Sequence, residues 1–323
     1  MTNGVTSALD SDALLAKSKL YIRKALVRKV AEELDEYQLW ASLALELLGK
    51  SALASHHPSL VADPNHYQSM FAASGISLST DVKTITAKTL YARLRHLIPR
   101  FDEKNKEFCD QIALRRNAEL HSGATPFNAM SLDAWESYFW YACETILVYM
   151  KSDLESRLGI PDSSAPKAIL EASKSARRQS VELRVERHRE DFSALKRSNR
   201  DAALAEAESK EPFHYRNLFT RLLDEEWPLE CPACQGKAFL AGIQIGEDVV
   251  DTQPDGYTVW EIVEKELSAE EFKCPVCKLA LDGADELEYA GIDIYHSVSV
   301  EREMEFEPER YGQKLVTLDQ AAA

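Results

Sequence analysis

Cys231-Pro-Ala-Cys234 and Cys274-Pro-Val-Cys277 are two cysteine pairs of identical spacing. A pair separated by two residues wraps a tight knuckle that turns both sulfurs to one side. Two such knuckles supply four thiolates to one tetrahedral cation, the set that zinc prefers. Four protein ligands leave no open position, so the spacing predicts one structural zinc ion. An iron–sulfur site is a minor alternative with the same ligands. A thioredoxin-like redox pair needs a single motif in a strand–helix–strand unit, and here there are two, each in a strand-and-turn context. The remaining cysteines, Cys109 and Cys143, fall in helical patterns and read as small buried apolar residues.

A second group of residues suited to chemistry lies at 115–123, which reads Arg-Arg-Asn-Ala-Glu-Leu-His-Ser-Gly. Four residues separate Arg116 from His121, and the polar Asn117 directly follows the arginine. This resembles the signature of the HEPN superfamily, and the stretch from Trp40 to Lys50, which includes Glu46, fits as well. The resemblance covers roughly residues 20 to 155. It implies a metal-independent ribonuclease that acts as a homodimer, often in toxin–antitoxin or antiviral defence systems. RNA is then the substrate, and Arg116, Asn117 and His121 are the catalytic site. Arg115 also meets the spacing; the polar Asn117 favours Arg116.

The chemistry agrees with that implication. RNA cleaves itself when a 2'-hydroxyl loses its proton and the charge gathering on phosphorus is stabilised. An imidazole, which titrates near neutrality, suits the proton transfer. A guanidinium can hold a phosphate through two parallel hydrogen bonds. Asn117 precedes His121 by four residues, so the two share a helix face and Asn117 can orient the ring or the substrate. Arg116 and His121 lie roughly 140° apart around a helix and converge poorly within one chain. A two-fold dimer through the bundle can set the two motifs face to face.

These groups must be positioned by a mainly α fold. Residues 13–53 carry apolar residues at helical spacing, and His56-His57-Pro58 ends the pattern. Residues 55–80 read as a loop, followed by a helix from about Val82 to Ile98 that Pro99 stops. The motif helix starts near Asp102 and runs to His121, where Ser122-Gly123 offers a left-handed stop. Ser131 can cap a further helix, which Gly159 and Pro161 close. We therefore expect an up-and-down helical bundle over residues 13–160, with the length to bury a real core. A long, mostly exposed, charged helical linker follows over 161–226, then a small four-cysteine zinc-ribbon β module over 227–300 and an acidic tail over 301–323. Phe239–Ile245 and Tyr257–Val263 alternate as strands inside the ribbon.

The formal net charge is −15, which repels nucleic acid at long range, so any RNA binding must use a local basic surface. The ribbon is acidic around Glu261, Glu264, Glu266, Glu270, Glu271, Asp282, Asp285, Glu286 and Glu288, which favours a protein partner or inhibitor, or a purely structural role, over phosphate binding. No apolar run approaches the ~20 residues of a membrane span. The first twelve residues lack the order of a signal peptide, so a cytoplasmic location is the expectation. Gly49-Lys50-Ser51 resembles the end of a P-loop, but Ala44 stands where the earlier glycine is required. His56, His57 and His66 read as solvated loop histidines. The basic segment with Arg177, Arg178, Arg184, Arg187, Arg189, Lys196, Arg197 and Arg200 can grip RNA or pair with Glu182, Glu186, Glu190 and Asp191. The alternative to an enzyme is an oligomerising interaction protein with a partner-binding ribbon.

Overall fold

The structure, a computed structural model, describes residues 8–129, 131–210, 219, 221, 223–255 and 258–303. It is mainly α, with a helical bundle followed by a small antiparallel β module that carries the four cysteines. Among the described residues, no helix is long and apolar enough to cross a membrane.

The 13–53 pattern is two helices. α1 (Ser11–Val30) and α2 (Leu34–Ala54) form a hairpin. Glu32 takes a left-handed conformation at φ 61°, and the Glu33 N–H reaches back to the Arg28 carbonyl at 3.0 Å. That is a helix-ending motif built without glycine, which is why the periodicity ran through it. The 55–80 loop holds a short α3 (Tyr67–Ala73). The next helix is shorter than its pattern: α4 spans Ala87–Leu97, capped by the Thr86 side chain. The motif helix α5 is Glu103–His121, capped by Asp102. Its stop differs from the expectation. Ser122 is extended, and its Oγ donates to the Ala118 carbonyl at 2.6 Å; Gly123 is not left-handed. α6 (Leu132–Tyr149) and the short α7 (Leu154–Leu158) complete the bundle. Leu45, Leu48, Tyr91, Trp135 and Phe139 lie at its centre, and Cys109 and Cys143 are buried there as read. Burial pushes the Cys143 thiol up to about 12.

The expected linker is more than a spacer. Gly159, at φ 88°, starts α8 (Ile160–Ala194), with Pro161 in its first turn. α8 is 35 residues long and mostly exposed, yet it is buried at two places, at Ser163, Pro166 and Leu170 and again at Val181 and Val185. Leu170 belongs to the bundle core, whereas Val181 and Val185 belong to the core of the β module. The apolar residues of this segment are too few to make a continuous seam, because each half serves a different partner. α9 (Arg197–Glu208) follows; residues 211–218, 220 and 222 of the expected linker lie outside the described residues.

The β module consists of β1 (Glu225–Glu230), β2 (Lys237–Asp255), β3 (Thr258–Lys273), β4 (Ala280–Asp282) and β5 (Tyr295–Glu303), with α10 (Ala284–Tyr289) after β4. β1, β2, β3 and β4 pair in that order, and β5 pairs with β3 beyond β4; all pairs are antiparallel. β2 and β3 lie between the two knuckles, as expected. β2 is buried on both faces from Ala238 to Ile243, because it meets α4 and α9 as well as its own core, so alternation holds only in part. The first three residues of the expected acidic tail belong to β5; residues 304–323 lie outside the described residues.

Candidate active site and metal centre

The last two turns of α5 carry Arg116, Asn117 and His121. Arg116 is drawn inward, with 11% of its side chain exposed. Its Nη1 donates to Glu46 on α2, and its Nε and Nη2 donate to Asn117 Oδ1 at 3.2 and 3.0 Å. Asn117 therefore orients the arginine rather than the histidine. Glu46 is shared: Lys50 Nζ lies 2.6 Å from its other oxygen and also donates to Thr84 Oγ1 at 2.9 Å. Burial raises the Glu46 carboxyl, but Lys50 and Arg116 outweigh that and hold it below the ordinary range.

His121 is exposed and has no hydrogen-bond partner among the described residues. It does not bond to Arg116, consistent with their divergence around the helix. Leu114 and Leu120 beside it are 68% and 51% exposed, so this helix end presents apolar surface as well as the imidazole. Sequence reasoning placed Glu46 and Lys50 in the matching stretch without giving them a role. The available signal was an acid and a base four residues apart within an otherwise apolar helix.

Gly49 follows a packing rule. A Cβ there would sit 2.9 Å from Leu94 Cδ1, so glycine lets α4 approach α2. His57 and His66 bond locally, with His57 Nδ1 2.8 Å from Ser59 Oγ and His66 Nδ1 2.8 Å from Ser69 Oγ, whereas His56 Nε2 lies 2.6 Å from the Tyr149 hydroxyl at the end of α6.

At the other centre, the sulfurs of Cys231, Cys234, Cys274 and Cys277 lie within 4.8 Å of one another. The two knuckles are near copies. The Gln235 N–H donates to the Cys231 carbonyl at 2.9 Å, and the Lys278 N–H to the Cys274 carbonyl at 3.0 Å. Gln235 and Lys278 are both left-handed, at φ 60° and 67°. α8 braces both knuckles: Arg189 donates to the Pro232 carbonyl at 3.0 Å, and His188 Nδ1 lies 2.8 Å from the Cys277 carbonyl. Three of the four cysteines are buried. Four converging sulfurs with no other ligand type form a closed site fit to hold a thiophilic metal ion.

Several of the module's acidic side chains face the bundle and α8, while Glu247 and Glu261 pair with Arg302 within the sheet. Arg95 grips both Glu270 oxygens at 2.8 Å. Asp285 accepts from the Tyr141 hydroxyl at 2.7 Å and from Arg177 at 3.2 Å. Glu286 pairs with Arg184 at 2.8 Å, and Glu288 with Arg100 at 2.5 Å. Much of the acidity that sequence reasoning assigned to a protein partner or structure is thus spent within the chain, as are several cations of the 174–200 segment. No family model, curated protein or solved structure matches this chain.

Proposed function

We propose that the chain is a metal-independent ribonuclease of the HEPN type, working as a homodimer through its bundle. The observation that carries this reading is the contrast at the end of α5. An arginine is held in place by Glu46 and Asn117, and a histidine one turn on is exposed and unengaged. In the proposed reaction, the 2'-hydroxyl oxygen attacks the adjacent phosphorus while an imidazole removes its proton. The bond to the 5' oxygen breaks, that oxygen takes a proton, and a 2',3'-cyclic phosphate remains. The Arg116 guanidinium offsets charge on the phosphoryl oxygens. A second copy supplies the convergence that one helix lacks, and exposed Leu114 and Leu120 provide apolar surface for it. The four cysteines hold zinc in a structural role, with no part in the reaction.

A second reading has an observation of its own. Glu46 already neutralises Arg116, as expected of a purely structural arginine in an oligomerising interaction protein. One experiment separates the two: cleavage of single-stranded RNA in EDTA, with end-group analysis, by the wild type and His121→Ala. Cyclic-phosphate ends that vanish in the variant support the enzyme. Cleavage that survives His121→Ala, or that requires added magnesium, rules out the mechanism.

A further inference from the structure

We infer that the outer face of α1, together with Trp40 of α2, is a binding surface for single-stranded RNA, separate from the Arg116–His121 motif. α1 carries Lys17, Lys19, Arg23, Lys24, Arg28 and Lys29 against one acid, Asp12. Arg28 is paired with Glu33 and Glu36, and Lys29 with Glu136. Lys17, Lys19, Arg23 and Lys24 have no acidic partner among the described residues. On a chain of net charge −15, four unneutralised cations along two helical turns are the local basic surface that a polyanion needs.

The surface also has the aromatic component that distinguishes single strands from duplexes. Trp40 meets Tyr21 edge to face at 5.2 Å, and Lys24 Nζ sits 4.5 Å above the Trp40 ring. Leu20, Arg23, Lys24, Val27, Arg28 and Trp40 line a shallow groove of about 360 Å³. A lysine resting on an indole is poised for exchange. Trp40 is half-buried, and a phosphate that draws Lys24 off the ring leaves that ring face for an unstacked base. Leu20 and Val27 are exposed beside these cations, at 52% and 67%. They suit the apolar faces of splayed bases. Against an anionic membrane, α1 would offer only a narrow apolar strip, since its Leu14, Ile22 and Ala25 face is committed to the core. The segment after His121 returns to α2 where Gln38 Nε2 donates to the Phe127 carbonyl at 3.3 Å, two residues from Trp40. Patch and motif thus flank the same helix.

The choice of RNA over DNA rests on the proposed ribonuclease reading; the binding itself does not. Fluorescence anisotropy of a labelled, unstructured single-stranded RNA tests it, with full-length His121→Ala protein so that no cleavage intervenes. Lys17→Glu/Lys24→Glu should weaken binding about tenfold or more at low salt and lower the slope of log affinity against log salt by about 1.4. Trp40→Leu should weaken binding with the salt slope unchanged, because stacking releases no counterions. Lys88→Glu, an exposed charge on α4, should leave binding intact. Absence of RNA binding at low salt overturns the inference, as does equal weakening by Lys88→Glu. Binding to phosphatidylserine vesicles but not to RNA, lost in the double variant, also overturns it in favour of a membrane surface. RNA bound at α1 by a protein that never cleaves sinks the ribonuclease and leaves this inference standing. Cleavage with binding indifferent to α1 does the reverse.

Discussion

Asp102 accepts the backbone N–H of Ala284 through Oδ2 at 3.1 Å, so the residue that caps α5 also caps α10. Its other oxygen accepts the Asn105 N–H at 3.0 Å. Two helices, one from the bundle and one from the β module, thus start on one carboxylate. Gly283 makes this possible: it is left-handed at φ 84°, and a Cβ there would lie 2.6 Å from Asp102 Oδ2. The motif helix is therefore tied at its first turn to the module that holds the cysteines.

Replacing that carboxylate should loosen both elements. Asp102→Ala removes two caps, each worth ~0.5–2 kcal/mol, so a loss of about 1–4 kcal/mol is expected in urea denaturation. Limited proteolysis should also find new cuts near residues 283–291. An effect confined to the bundle would show that the second cap carries no energy.

Arg95 and Glu270 make a sharper test of the same interface. Glu270 is 1% exposed, and burial pushes its carboxyl up despite the Arg95 fork. Such a pair is costly to break on one side only. Arg95→Met should cost about 3–5 kcal/mol, because it leaves buried Glu270 with only Arg221 at 3.9 Å, whereas Arg95→Met with Glu270→Met should recover part of the loss, the Arg95–Glu103 pair being gone in both. Equal losses in the single and double variants would mean that the guanidinium contributes through packing alone.

The knuckles were legible in the sequence because cysteine spacing fixes ligand geometry whatever surrounds it. The motif helix was legible because Asp102 is a strong cap and Pro99 a strong break. The interdomain face was not, since Glu270 and Asp285 look like solvated charges until their partners Arg95 and Arg177, more than 100 residues away, are known. The same holds for Glu46, whose partner Arg116 lies 70 positions further on. The α1–α2 break at Glu32 also stayed hidden, because a left-handed glutamate leaves no mark of the kind glycine does.

Glu46 should show its pairing in the pH dependence of stability. Its carboxyl lies below the ordinary range in the folded chain, so its contribution is present above the unfolded value of about 4.3 and is lost as pH falls through the folded one. Wild type should therefore exceed Glu46→Gln in stability at pH 7, and the gap should shrink below about pH 4. If the ribonuclease reading holds, Glu46→Gln should also reduce cleavage less than Arg116→Ala, since the arginine keeps Asn117 as a support. Arg116→Lys should rescue little, because an ammonium cannot reproduce the fork. A stability gap that widens on acidification would contradict the assigned pairing.

The four cysteines give the prediction with the fewest assumptions. Elemental analysis of purified protein should find one zinc per chain. The sulfurs converge, and binding four thiolates to one cation gains more than the left-handed Gln235 and Lys278 cost, roughly 1–2 kcal/mol each. Cys274→Ser removes one ligand and should release the metal. The consequences should follow the contacts outward from the knuckle. Cys274 leads through β4 to α10, and α10 docks through Asp285, Glu286 and Glu288 onto Arg100, Arg177 and Arg184. Hydrogen exchange in Cys274→Ser should therefore speed up in β3, β4 and α10 and in the α8 stretch around Val181 and Val185. The bundle core around Trp135 and Phe139 should stay protected, because none of its contacts runs through the knuckles. Cys109→Ser, a change at a buried thiol remote from the cluster, should keep the zinc. Folded protein without metal, or metal retained in Cys274→Ser, would remove the claim that these four residues form one closed site.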